Sequence, residues 1–494
     1  MPLPETGAPW PPPQWAEVYR EIALDDAWYS GDRRRLARIY EPHPRPAERR
    51  RLWGRKSLDH HPRRDNRLHV PLPGDIASTS ADLLFADMPA ITVTDTNTQA
   101  RLDVLLDEGR VQQTLISGAE QAAALSSVYL RATWDRELVD RPILDVVQPD
   151  AALPEFRYGM LRAVTFWREL TTDDAHTVLR HFERHEPGRI THALYEGTAD
   201  TVGRPVPLTE HPDTAELVDS LDTDGDGQSI STGIRNLTAA YVPNMLPNRR
   251  HRGAPLGRSD YAAPIYDQFA SLDETWSSWM RDIRLARARL IVPDGYLRDN
   301  GPGEGASFDE DREVWTSLRM PPTEGNGITL AQFEIRVEEH QRTAEALMRQ
   351  AAQSAGYSAQ SFGLDGGGQP ITATESDSRD ARSMVTRKKK AGYVRHPLAD
   401  MLHVMLQLDA VQFGQRITPE RPNVEFGDGV AESEQQTATT LDLLNRAGAV
   451  STKTKVKVLH PEWDDSDVQA EVDAILAETG AGAPDPVGNF PMAA

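Results

Sequence analysis

Asp222, Asp224 and Asp226 followed by Gly227 reproduce the front of a calcium-binding loop, where alternate carboxylates converge on one cation and glycine permits the sharp turn. Such a loop closes with a bidentate Glu at its twelfth position. Here that position is Gly233, and the flanks do not read as helices, so the segment is read as a polar turn. His181, Glu183 and His185 alternate in HFERH, and the two-residue strand period puts them on one face. Two imidazoles and a carboxylate there could hold a metal, but the spacing is not that of a helical HExxH site; the reading preferred is a solvated strand face. Gly54-Arg55-Lys56-Ser57 resembles the close of a phosphate-cradling loop, yet Glu48 to Trp53 supplies no upstream glycine, and backbone amides cannot wrap a phosphate without it. The chain has no cysteine, which removes disulfides, thiolate zinc sites, iron–sulfur clusters and cysteine nucleophiles together. No catalytic residue, metal site or cofactor is assigned.

The densest basic run is Arg387, Lys388, Lys389 and Lys390. Consecutive residues on a helix point around most of its circumference, so these four cannot all face one partner. They are read as a solvated helix end or as candidate contacts to DNA or a neighbouring subunit. An arginine-rich stretch from Ala47 to Arg64 is read as solvated or subunit-facing.

These side chains sit in a chain of 494 residues, long enough for more than one core or layer. Hydrophobic residues make up 39% and the mean hydropathy is −0.54, so a real core is surrounded by a large polar surface. The formal charge is −21. A protein that grips DNA by neutralising phosphates needs surplus Lys and Arg, and globally this chain lacks them. The plain reading of the acidity is solubility; the sharper one is a conduit that must not hold its cargo. The N-terminus carries no basic and apolar signal segment, and no apolar run approaches the roughly 20 residues that span a bilayer. A soluble protein made in a reducing cytoplasm is expected.

The elements alternate in type. Trp15 to Tyr40 follows helical spacing, interrupted at Ser30-Gly31-Asp32. Ile76 to Phe85 is helical, with Asp75 as its start, and Ala90 to Val93 reads as a strand. Leu102 to Gln121 reads as helix. VYLRATW, PILDVV and LRAVTFWREL, between Ser127 and Leu170, read as strands, and Val178 to Tyr195 as a hairpin turning at Pro187-Gly188. Thr198 to Asn248 is expected to be a long irregular connection. Ile265, Phe269, Leu272, Trp276, Trp279, Ile283, Ala286 and Leu290 recur at steps of mostly three and four, predicting a helix from Asp260, with Asp260 or a neighbour as its cap, to Val292, roughly 50 Å long at 1.5 Å per residue. Phe269, Trp276, Trp279 and Ile283 on that stripe are assigned to packing. Pro293 to Gly327 is irregular. A second helix is expected from about Leu330 to Gly356, and a third from about Thr374 to Phe413, kinked or divided at Pro397. Further helices are read over Glu432 to Ala447 and Asp465 to Glu478.

Several strings, in order from Trp28 to Trp463, resemble portal proteins of tailed double-stranded DNA bacteriophages, of the siphovirus type that infects actinobacteria. They are WYSGD, NRLHVPLPGDIASTSADLLF, VVQPDAALPEF with LRAVTFW, YVPNMLPN with LGRSD, RDIRLARARLIVP, AGYSAQSFGLD with TATES, and LHPEW. The resemblance implies an α+β portal fold with a mixed α/β wing, a two-helix stem, a small clip, a tunnel loop and a helical crown. Mapped onto this chain, residues 1–259 are the wing, 260–292 the first stem helix, 293–329 the clip and 330–360 the second stem helix. Residues 361–372 are the tunnel loop, 373–413 a long wing or tunnel helix, and 414–494 the crown and tail. The tunnel loop would present Gly363, Leu364, Asp365, Gly366, Gly367, Gly368 and Gln369 to passing DNA. The implied function is structural: a homo-oligomeric ring, a dodecamer in the family, at one capsid vertex of the virion. It would conduct double-stranded DNA and contact the major capsid protein, the terminase large subunit and a head-tail adaptor, with no membrane partner. The rival readings are another phage head or connector protein and, from a different class, a cation-dependent enzyme. The helix–insert–helix order favours the portal over the first, and the want of any site constellation disfavours the second.

Overall fold

The computed structural model describes residues 3–40, 67–172, 174, 176–218, 221, 228–262, 265–286, 289–291, 298–299, 306–307, 329–331, 335–364, 373–427, 441–460, 463 and 465–479. It divides into a unit spanning Met1–Phe426 and a smaller one spanning Gly427–Ala494.

The larger unit begins with α1 (Ala16–Ser30) and α2 (Arg33–Tyr40). Gly31 separates them in a left-handed conformation, φ 62°, which glycine adopts without steric cost. The Asp32 carboxylate accepts from the backbone N–H groups of Arg34 (2.7 Å) and Arg35 (3.1 Å), satisfying donors that open the next helix. Then come α3 (Leu72–Phe85), β1 (Ala90–Thr92), α4 (Thr96–Glu108) and α5 (Val111–Leu125). Two expectations are corrected here. Helix α3 starts before Asp75, with Pro73 in its first turn where the missing N–H costs nothing. The helix expected over Leu102 to Gln121 is two helices, because the chain turns at Gly109 and at Arg110, which is left-handed at φ 49°.

The strands follow: β2 (Ser127–Thr133), β3 (Ile143–Val147), β4 (Ala152–Arg157), β5 (Met160–Leu170), β6 (Val178–Glu186), β7 (Arg189–Thr198) and β8 (Thr201–Val206). After the single turn of α6 (Pro212–Ala215) come β9 (Ser229–Ser231) and β10 (Ala239–Pro243). β10, β2 and β3 form one antiparallel sheet. The others form a second in the order β4-β5-β6-β7-β8, with β9 also paired to β7. The β6–β7 hairpin turns at Pro187-Gly188 as expected. The stretch after Thr198 is more regular than its Asp, Gly and Pro content predicts, since β8, β9 and β10 all pair there. Trp10 is fixed edge-on against Trp167 (4.7 Å) and Phe182 (5.5 Å), and Val202 N–H donates to the Ala8 carbonyl (2.9 Å). The proline-rich start is thereby held on the larger sheet.

The last part of this unit is helical. It holds α7 (Ile265–Leu285), β11 (Arg289–Ile291), β12 (Arg298–Asp299), β13 (Ala306–Ser307), β14 (Thr329–Ala331), α8 (Val337–Ala355), α9 (Ala373–Gln412) and β15 (Asn423–Glu425). Helix α7 is shorter than predicted, about 32 Å at 1.5 Å per residue. The apolar spacing continues to Leu290, but there the backbone is extended and β11 pairs with β14. Asp260 does not cap this helix; it lies five residues upstream, buried. Helix α8 begins at Val337, not Leu330, and ends at Gly356, left-handed at φ 103°. Helix α9 is one element through Pro397, without the expected division, and extends about 60 Å. Its apolar residues Leu398, Met401, Leu402, Met405 and Leu408 join Leu84, Phe85, Leu102, Leu105, Leu115 and Leu130 in the largest core. A second core joins Ile22, Trp28, Ile76, Tyr261, Phe269 and Tyr357.

In the smaller unit, Leu441 to Arg446 is helical, and the rest of the helix expected from Glu432 lies outside the described residues. A helix over Thr452–Leu459 is capped by the Ser451 hydroxyl, which accepts from Thr454 N–H (3.2 Å). It packs on the helix Asp465–Thr479 through Val456, Val468 and Val472, beside a Trp463 ring stacked on His460 at 4.0 Å.

Candidate functional site

The apolar stripe of α7 divides by burial along its length. Ile265, Phe269 and Leu272 are fully buried in the second core. Trp276 and Trp279 are half-buried and stacked on each other at 5.1 Å, and Trp279 also stacks on His340 of α8 at 6.1 Å. Ile283, also assigned to packing, is 41% exposed in the single subunit. The two helices run antiparallel: Gln268 meets Ser354 (3.3 Å), and Asp282 accepts from Arg336 (3.1 Å) and His340 (3.0 Å). Those bonds, His340 foremost, hold the Asp282 carboxyl below its usual range. The Trp276 and Trp279 indole nitrogens are buried and find no acceptor among the described residues. Toward its far end the pair therefore leaves apolar surface uncovered among the described residues.

The near end is locked by charge. Asp273, buried on α7, accepts from Val70 N–H (2.8 Å), the His69 ring (2.9 Å) and the Tyr40 hydroxyl. Asp260 accepts from Lys390 Nζ (2.6 Å), Tyr357 Oη (2.8 Å) and Asn244 Nδ2 (2.9 Å), and Lys390 also donates to Ser80 Oγ (2.7 Å). Burial drives the Lys390 ammonium below its ordinary pKa, against the pull of Asp260. The basic run is thus split: Lys390 and Arg387, whose Nε donates to the Leu83 carbonyl (2.6 Å), are buried, whereas Lys388 and Lys389 are exposed. Lys390 and Arg387 are committed inside the subunit, which removes them as contacts for DNA or a neighbour. Farther along α9, Asp409 is clamped by Arg101 through two bonds of 2.7 and 2.9 Å.

The HFERH strand is also corrected, because its face is not solvated. His181 and His185 are buried; His185 bonds Glu183 (2.7 Å) and Thr238 (2.6 Å), and His181 stacks on His192. Burial would raise the Glu183 carboxyl, but Arg131 at 2.7 Å and the His185 bond hold it well below the carboxylate range. Burial, then the neighbouring His192, lowers His181 to about 4. A neutral His pair beside a carboxylate already satisfied by Arg131 is a packed polar core. Among the described residues no group of acidic or His side chains is arranged to hold a metal. The Asp222–Gly227 segment, the Gly54–Ser57 string and the whole arginine-rich segment from Ala47 to Arg64 lie outside the described residues, as do Asp365, Gly366, Gly367, Gly368 and Gln369 of the loop after α8. Gly363 and Leu364 are described: Gly363 is left-handed at φ 66°, and the Leu364 carbonyl accepts from Arg349 (2.9 Å).

Sequence reading missed the charged anchors. Asp273 adjoins Leu272 on an apolar stripe, and Asp409 closes the run MLHVMLQLD; a lone acid among core residues signals a buried partner. Asp25 is a third case. Burial raises its carboxyl to about 7, opposed by the Tyr266 hydroxyl bond and by Arg250. An acid with a raised folded pKa contributes stability that is full below its unfolded value near 4 and is lost as pH rises through about 7. The stability difference between wild type and Asp25→Asn should therefore shift progressively toward the variant as pH rises from 4 to 7. Denaturant midpoints measured across that range test this; parallel profiles would refute it.

A family model described as phage portal protein, SPP1 Gp6-like, matches residues 13–485. No curated protein matches the sequence. Among solved structures, a chain in the virion of a native gene transfer agent particle is similar at 13% identity, covering 79% of this chain and 90% of its own, with a TM-score of 0.43. A chain in the neck of the native particle, computed with C12 symmetry, covers 79% and 89% at 13% identity and TM-score 0.40. One in the neck of the empty particle, computed with C6 symmetry, covers 92% and 95% at 13% identity and TM-score 0.40.

Proposed function

Because the chain belongs to the SPP1 Gp6-like family of phage portal proteins, we propose that its copies close into a ring, twelve in number, around a channel for double-stranded DNA. It is a structural subunit of the capsid vertex and not an enzyme. The observation in the subunit that supports the ring is the α7–α8 pair: two antiparallel helices carrying half-buried, stacked tryptophans and an exposed Ile283. Surface of that kind is what an adjoining subunit would cover. On this reading α7 and α8 are the stem, residues 293–329 the clip, and 361–372 the tunnel loop. The smaller unit belongs to the crown. The glycines at 366–368 would let the loop change shape as DNA passes, and with no cation in Leu364, Asp365 or Gln369 it would hold phosphates weakly. Lys388 and Lys389 remain as the members of the basic run able to reach DNA or a neighbour. Terminase, a head-tail adaptor and the major capsid protein are the proposed partners, in an actinobacterial siphovirus.

Purified protein should form closed rings visible in negative-stain images, with a light-scattering mass near twelve times 54.9 kDa. A chain that stays monomeric at all salt and protein concentrations would overturn the proposal.

A further inference from the structure

The turn between β4 and β5 carries a side chain that its backbone disfavours. Arg157 pairs with Met160, so Tyr158 and Gly159 alone form the turn, at φ 52° and 79°. A turn with positive φ at both central positions favours Asn-Gly, and a bulky residue in the first place is an outlier. Tyr158 is nevertheless 92% exposed and Met160 75% exposed, so burial within the subunit does not explain the choice. Arg157 lies over the Tyr158 ring at 5.4 Å, and Arg162 is exposed on the same hairpin. Tyr, Met and Arg are the residues enriched at protein interfaces and their hot spots. The tip is cationic on a chain whose formal charge is −21, so an acidic surface of a second copy complements it in charge.

The subunit also offers a matching surface. The β2–β3 loop exposes Leu138, at 72%, among the exposed acids Asp135, Glu137 and Asp140; Arg136, exposed in the same loop, is turned to the Gln412 carbonyl (2.8 Å), and the acids outnumber it. The two tips face away from each other. Near the β4–β5 tip, the Phe156 ring meets Tyr241 (5.2 Å), which pairs with Tyr129. Two residues nearer the loop, Arg131 reaches Glu183, which pairs with Phe166, well along β5 from the tip. Moving along β2 toward its loop therefore moves away from Tyr158. Two unlike patches at opposite ends are what a head-to-tail contact uses, and such contacts close into rings when the rotation permits. We infer that the Tyr158–Met160 knob, flanked by Arg157 and Arg162, seats on the acidic loop around Leu138 of the adjacent copy. This rests on the ring proposed above.

The test places a photo-crosslinking benzoylphenylalanine at position 158 of the full chain, irradiates assembled rings and maps the products by mass spectrometry. Crosslinks should join two copies, from position 158 to residues 135–140. Tyr158→Gly removes the ring while relieving the backbone, so the monomer should fold at least as stably as wild type. Its assembly should need about tenfold more protein, as expected for loss of a hot-spot side chain. Rings without such crosslinks, crosslinks mapping elsewhere or only to another protein, or Tyr158→Gly assembling at wild-type concentration would overturn the contact and leave the ring standing. A wild-type chain that neither assembles nor crosslinks would overturn both.

Discussion

Replacing Lys390 with Met should destabilise the larger unit by about 3–5 kcal/mol, the range for removing one partner of a buried ion pair. The Lys390 and Asp260 side chains are only 3% and 2% exposed. Without the ammonium, the Asp260 carboxylate keeps Asn244 and Tyr357 as donors, but no cation bonds it. The larger loss is the cost of an uncompensated buried charge, so Lys390→Met combined with Asp260→Asn should recover much of it. Equilibrium unfolding of both variants measures this, and a Lys390→Met chain as stable as wild type would show that the pair contributes no net stability. Lys388→Met on the exposed face should change stability by less than about 0.5 kcal/mol, separating the anchoring lysine from its solvated neighbour.

Truncating Phe269 to Ala should cost about 3–5 kcal/mol, as for other buried aromatic side chains. Phe269 is 1% exposed and touches the Trp28 and Tyr261 rings at 5.5 and 5.7 Å, joining α7 to α1 and to the segment before it. Nearly four turns farther on, at about 3.6 residues per turn, Ile283→Ala should leave the isolated subunit nearly unchanged because that side chain is exposed; any effect should fall on ring assembly. Thermal or denaturant unfolding of the monomer, followed by light scattering of assembled material, reads the two separately. If Ile283→Ala destabilised the monomer as strongly as Phe269→Ala, the stripe would be uniformly buried and this division along α7 would be wrong.

The local order of this chain was legible where one periodicity dominated. The Ser30-Gly31-Asp32 break, the central strands β5, β6 and β7 of the larger sheet, the hairpin at Pro187-Gly188, the helices α7 and α8 and the long α9 follow from local spacing and from residues that terminate it. The matching strings carried the portal reading, and the family match over residues 13–485 supports it. What spacing could not supply was which periodic residues end up covered. Leu290 continues the helical stripe of α7, yet its backbone pairs as strand with Leu330, because a partner distant in sequence supplies the hydrogen bonds there. HFERH has the alternation of a solvated strand, but Arg131 and Thr238 from the neighbouring sheet bury and satisfy it. The run Arg387 to Lys390 looks uniform in sequence. The helical turn sends Lys390 inward to Asp260, 130 residues away, and leaves Lys388 and Lys389 in solvent. Side-chain type and local period determined the elements and their order. Burial and charge pairing were decided by contacts between segments far apart in the chain, which only the folded structure brings together.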